Sequence, residues 1–168
     1  LELRGEAGDR FGSAGDGRTA GDELLLAVGA PDAGPDDRGT VRVYRLKRGE
    51  SPGAGPEPAF TIEPEPGDRE LGAMFVSVVG DVDADGTADV YATDWSSAAK
   101  GATTGRAYVH SGADGRRLYA WTGEAAGDGF GIGPADAGDV DGDGHDDLVI
   151  GAWRHGGAAP AGGKVYVY

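Results

Sequence analysis

The chain has 168 residues, no cysteine, and 29 acidic against 15 basic side chains, for a formal charge of −14. That length suffices for one domain with a packed core, and the missing cysteines exclude disulfides, thiol nucleophiles and thiolate metal sites. The acidity argues against DNA, RNA or an anionic membrane surface as partners, and no run of about 18 apolar residues is present to insert into a bilayer.

Gly at 33 of 168, with short runs rich in Val, Leu and Tyr, disfavours helix. No segment keeps apolar spacing of 3.6 over three turns. Short strands between Gly- and Asp-rich turns fit instead, so the composition predicts an all-β fold. Asn and Gln are absent, which removes any N-glycosylation acceptor. Beginning at Leu1 rather than Met, the chain reads as processed or as an excerpt from a longer protein.

In chain order, the plan Leu1-Glu-Leu-Arg-Gly5 … Asp9-Arg-Phe11-Gly12 returns as Phe60-Thr-Ile … Asp68-Arg-Glu-Leu71-Gly72. It returns again as Leu118-Tyr-Ala-Trp121 … Asp128-Gly-Phe130-Gly131. From Phe11 to Leu71 and on to Phe130 the steps are 60 and 59 residues. Each copy continues into a hydrophobic strand, over residues 24–30, 89–93 and 148–152. An alternating strand follows in each, over 40–44, 106–110 and 164–168. A period this long with about four strands per unit predicts propeller blades. The chain is thus one domain, 1–168, in repeats of about 1–59, 60–117 and 118–168.

Before the second strand of repeats 2 and 3 stand Asp81-Val-Asp83-Ala-Asp85-Gly86-Thr87-Ala-Asp89 and Asp139-Val-Asp141-Gly-Asp143-Gly144-His145-Asp-Asp147. Carboxylates at loop positions 1, 3, 5 and 9 repel one another unless a cation sits among them. Calcium, which takes six to eight oxygens in irregular geometry, suits such a set. Glycine at position 6 allows the sharp turn, and position 7, Thr87 or His145, supplies its backbone carbonyl. An EF-hand would need a glutamate at position 12, where this chain has Ala92 and Ile150, and helices rather than strands around the loop. Two calcium ions would bring the charge from −14 to −10. In repeat 1, Asp16 and Asp22 do not fall on alternate positions, so no calcium is expected there.

Phe11-Gly12 … Gly29-Ala30-Pro31 and Phe130-Gly131 … Gly151-Ala152, with the DxDxDGxxD loop between, resemble FG-GAP repeats. These repeats build the β-propeller of integrin α chains and of many bacterial secreted or surface proteins. The resemblance implies a partial β-propeller of three four-stranded antiparallel blades. It also implies calcium in the loop joining the first two strands of a blade, ligated by Asp81, Asp83, Asp85, Thr87 and Asp89, and by Asp139, Asp141, Asp143, His145 and Asp147. Both ions would be structural. Repeat 2 departs from the pattern, with Leu71 for Phe and Thr93-Asp94-Trp95 for Gly-Ala-Pro.

Leu1 to Leu3 reads as the outermost strand of a blade, whereas the third repeat lacks that strand after Tyr168. Neighbouring blades are therefore expected from a longer chain or from a second copy in trans. Enzyme signatures are missing: no Gly-x-Ser-x-Gly elbow occurs, Ser97-Ala-Ala-Lys100 lacks its companion motifs, and the three histidines have no ligand spacing for zinc. Trp95 and Trp153, just past second strands, are the candidates for contact with a ligand, while Trp121 reads as packing between blades. The insertion Lys47 to Ala59 is expected to be a surface excursion. The reading is an extracellular or cell-surface, bacterial, calcium-binding module for protein or glycan adhesion, not an enzyme. The alternatives are a propeller domain attached to an enzyme acting on polysaccharide or phospholipid, and a purely architectural repeat of a larger surface protein.

Overall fold

The computed structural model describes residues 2–49, 55–157 and 159–168. They form three antiparallel sheets and no α-helix; a single 3-10 turn occupies Pro35–Asp37. The first sheet runs in chain order through β1 (Gly15–Ala20), β2 (Glu23–Ala30), β3 (Thr40–Lys47) and β4 (Phe60–Ile62). The second runs through β5 (Val76–Val78), β6 (Val90–Asp94), β7 (Arg106–His110) and β8 (Arg117–Thr122). The third contains β9 (Phe130–Gly138), β10 (Asp147–Ala152) and β11 (Lys164–Val167). Each sheet is an up-and-down meander of the kind that builds a propeller blade.

The sheets stack in series through two cores. Leu25, Ala27, Val41, Val43 and Ile62 of the first sheet pack on Val76, Val78, Val90, Ala92 and Tyr108 of the second. Tyr91, Ala107 and Val109 then carry the other face of the second sheet onto Phe130, Leu148, Ile150 and Ala152 of the third. The period-2 alternation of a strand explains the division, since Val90 and Ala92 face one way and Tyr91 the other. With both faces covered, β6 is buried along its whole length. The hydroxyl of Tyr91 is buried too, and it donates to the Gly131 carbonyl at 2.8 Å, tying the second sheet to the third.

Close backbone approach at these joints accounts for several glycines. A Cβ at Gly39 would collide with the backbone of Leu71, and one at Gly105 with the backbone of Phe130. Both also hold positive φ, 88° and 82°, where L side chains are strained.

Two expectations need correction. Three four-stranded blades were expected, but among the described residues the third sheet has three strands, in keeping with the expected lack of an outer strand in the third repeat. Leu1 lies outside the described residues, and Glu2 and Leu3 belong to no strand. The outer edge of the first sheet is already taken by β4, which sits at the start of the second repeat. β8 likewise completes the second sheet from the boundary of the third repeat, so the first two sheets each take their last strand from across a sequence boundary.

β1 carries no apolar alternation, and its side chains are all exposed. It is a strand because the two-residue turn Gly21-Asp22 folds it back onto β2 in unbroken register from Ala20–Glu23 to Gly15–Val28. Of the excursion from Lys47 to Ala59, residues 50–54 lie outside the described residues.

Candidate metal centre

The two acidic loops occupy equivalent places. Residues 79–89 join β5 to β6, and residues 139–146 join β9 to β10. Short aspartate side chains fold such loops by accepting from backbone N–H groups two to five residues on. The two loops share five such bonds, and the second adds one from Gly142 N to Asp139 at 2.7 Å. Asp81 accepts from Asp85 N at 3.0 Å and Gly86 N at 2.7 Å, and Asp139 from Asp143 N and Gly144 N, both at 3.0 Å. Asp83 and Asp141 accept from the N–H at position 5, at 3.2 and 3.1 Å. Asp89 and Asp147 reach back to Val82 N at 2.9 Å and Val140 N at 2.7 Å. Positions 4 and 6 are left-handed in both: Ala84 and Gly86 at φ 58° and 89°, Gly142 and Gly144 at 81° and 92°.

This folding brings the carboxylates of positions 1, 3 and 9 together. Oxygens of Asp81, Asp83 and Asp89 lie within 4.8 Å of one another, as do those of Asp139, Asp141 and Asp147. Asp85 and Asp143 stand outside these triads, each accepting from the position-7 N–H, Thr87 at 2.8 Å and His145 at 2.9 Å. The donor set is all oxygen and carries concentrated negative charge, which fits a hard cation such as calcium.

The environments differ. Asp89 is fully buried and also accepts from Gly112 N at 3.0 Å. Burial, reinforced by the charges of Asp83 and Asp85, pushes its carboxyl up to about 6 even though the Gly112 and Val82 N–H groups favour the anion. Arg116 pairs with Asp83 from the neighbouring β7–β8 turn. In the second loop Asp139, Asp141 and Asp143 are exposed.

The loops also touch each other. Asp146 accepts from the Asp81 N–H through its carboxylate at 2.9 Å, and its own N–H donates to the Asp81 carbonyl at 3.0 Å. His145 donates from Nδ1 to the Val82 carbonyl at 3.1 Å. Position 8 is Ala88 in the first loop, so Asp146 was an acid without a ligand role in the sequence pattern. Its doubling beside Asp147 was the signal available.

Repeat 1 holds no such loop. Its tight turn replaces it, and Asp16 accepts from Val78 N at 3.0 Å, linking the first strands of two sheets.

Among the aromatic candidates, Trp153 is half exposed, with the Arg154 guanidinium 4.4 Å from its ring centre. Trp95 is largely covered, and its indole N–H is buried without a partner among the described residues. Trp121 of the second sheet stacks on Tyr168 beside the third at 4.5 Å, the inter-sheet packing expected of it.

The sheets and loops together define a β-propeller-like repeat protein. The FG-GAP repeat model matches residues 135–168, a span that contains the second acidic loop, β10 and β11. No curated protein matches the chain.

Proposed function

We propose that the chain is a calcium-stabilised segment of a β-propeller that serves outside the cell as a non-catalytic binding module for protein or glycan. What carries this reading is the twofold appearance of one loop: the same backbone network and the same triad of converging carboxylates, on equivalent connections of two sheets. Solvated turns with no metal role have no reason to repeat a triad of mutually repelling charges. Asp81, Asp83 and Asp89 would hold one ion and Asp139, Asp141 and Asp147 the other, with Asp85, Asp143 and the carbonyls of Thr87 and His145 completing the shells. The FG-GAP match supports the adhesion role, since such repeats build binding propellers. Affinity in the range of extracellular calcium modules, about 10⁻⁴ to 10⁻³ M, would fill these sites only where calcium is abundant.

Calorimetric titration with calcium, beside magnesium, tests the reading. Calcium should bind at two sites. At ten times its dissociation constant each site should add about 1.4 kcal/mol, raising the melting temperature by several degrees in total. No heat and no thermal shift with calcium would refute the metal assignment.

A further inference from the structure

The turn between β7 and β8 lies directly on the first acidic loop. Gly112, buried in this turn, donates its N–H to Asp89 at 3.0 Å, and the Ser111 hydroxyl donates to Asp85 at 3.3 Å. The guanidinium of Arg116 pairs with Asp83. Positions 3, 5 and 9 of the loop thus each receive a donor from the turn, and one of the three donors carries a full positive charge.

Contacts from the first sheet hold the turn in this place. Arg45 of β3 donates to the carbonyls of Gly112 and Ala113. The Phe60 ring of β4 fills the space over Gly115, where a Cβ would lie 2.6 Å from it. A Cβ at Gly112 would meet the Ala88 carbonyl at 1.8 Å, so turn and loop touch backbone to backbone. Arg116 is steadied within the turn by Asp114, which accepts from its N–H at 2.9 Å and stands 3.7 Å from its Nε.

The pair has an inner and an outer end. The Asp83 side chain is 11% exposed, whereas that of Arg116 is 57% exposed and approaches from solvent. One Asp83 oxygen accepts from the Asp85 N–H inside the loop, and the other faces Arg116. The carboxylate held by the guanidinium is therefore one of the three that converge as the Asp81, Asp83 and Asp89 triad.

We propose that Arg116 is a built-in counter-ion of the first loop and sets that loop's affinity for calcium. In metal-free protein it offsets the repulsion among Asp81, Asp83, Asp85 and Asp89. A divalent cation entering the triad has to compete with it for Asp83 and is repelled by its charge. This role presupposes the calcium reading of the loop and adds the group that tunes the site. Its sign separates it from a structural one. Removing an arginine that only props the loop weakens calcium binding, whereas removing a competing counter-ion strengthens it.

Calorimetric titration of the full chain with calcium, in an Asp147→Asn background that weakens the second loop, tests the role at the first. Arg116→Ala should bind calcium about two- to fivefold more tightly than this parent, the range an exposed ion pair can supply. Arg116→Glu, which adds a carboxylate, should exceed that gain. Arg116→Lys keeps the charge and should return most of the parent's affinity. The gain in Arg116→Ala should shrink as monovalent salt is raised. With chelator this variant should melt below the parent, and saturating calcium should close or reverse the difference. Unchanged or weaker calcium binding in Arg116→Ala overturns the proposal and leaves the calcium sites standing, as does an Arg116→Lys variant as tight as the alanine one. Absence of calcium heat from the parent and from all three variants overturns the calcium reading, and this role with it.

Discussion

At the scale of single residues, the loop aspartates carry opposing demands. Asp89 sits in a fully buried position where burial holds its carboxyl near 6, against about 3.9 in an unfolded chain. The folded, metal-free protein therefore keeps a proton that the unfolded chain releases. Stability without calcium should fall as pH rises from about 4 to 6, because in that window the unfolded state binds fewer protons. Calcium needs the anion, so its apparent affinity at this loop should drop as pH falls through about 6. Melting temperatures measured with chelator and with calcium across pH 4 to 8 should diverge upward from about 4. Curves that remain parallel would contradict this account. Ala84 offers a second test, since it holds φ 58° where the companion loop has Gly142 at 81°. A left-handed alanine costs about 1 kcal/mol or more, so Ala84→Gly should raise the melting temperature by about 2–4 °C, whereas Gly142→Ala should lower it by a similar amount.

At the scale of elements, the two acidic loops form one unit rather than two. Asp146 bridges both backbone groups of Asp81, and His145 holds the carbonyl of Val82, so the first and second residues of one loop are positioned by the seventh and eighth of the other. Asp146→Ala leaves the Asp81 N–H without its acceptor, a loss of about 1–3 kcal/mol. Calorimetry of that variant should show calcium binding at the Asp81 loop weakened several-fold although no triad carboxylate has been removed. Asp147→Asn, by contrast, should weaken the other loop directly. The sheet joints set a different constraint. Gly105 has both a positive φ and the backbone of Phe130 in the space a side chain needs. Gly105→Ala should cost more than about 2 kcal/mol through strain and forced separation of the second and third sheets, visible as a shift in the denaturant midpoint.

At the scale of the whole molecule, charge and stacking govern stability together. A chain of charge −14 repels itself, and nine of its 29 acidic side chains are concentrated in two loops. Metal-free protein should therefore melt higher as monovalent salt is added. Calcium-saturated protein at −10 should respond less, which melting at low and high ionic strength can compare. The apolar faces obey the same logic as the cores. The second sheet is covered on both sides and carries a strand buried from end to end, while the third leaves Val165 and Val167 exposed.

What could be read from the residues alone was local and periodic. The strands of β2, β3, β6, β7, β10 and β11 follow from β-branched and aromatic runs, and the triads follow from aspartates at fixed spacing, because hydrogen bonds within nine residues need no distant partner. Asp85 and Asp143 were grouped with the triads by spacing, yet their side chains turn to cap position 7, a choice that spacing does not encode. β1 was invisible because its strand character comes from pairing with β2, whereas β4 and β8 close the preceding sheets, in keeping with the reading of the aligned residues 1–3 as the outermost strand of a blade. Asp146 gained its role only when the second and third sheets packed and brought the loops within hydrogen-bond reach. Composition and spacing thus determined the all-β class, the repeat and the acidic loops, for these depend on neighbours along the chain. The coupling of the loops and the capping of position 7 by Asp85 and Asp143 were decided by tertiary structure, since neither is written in the spacing of the aspartates.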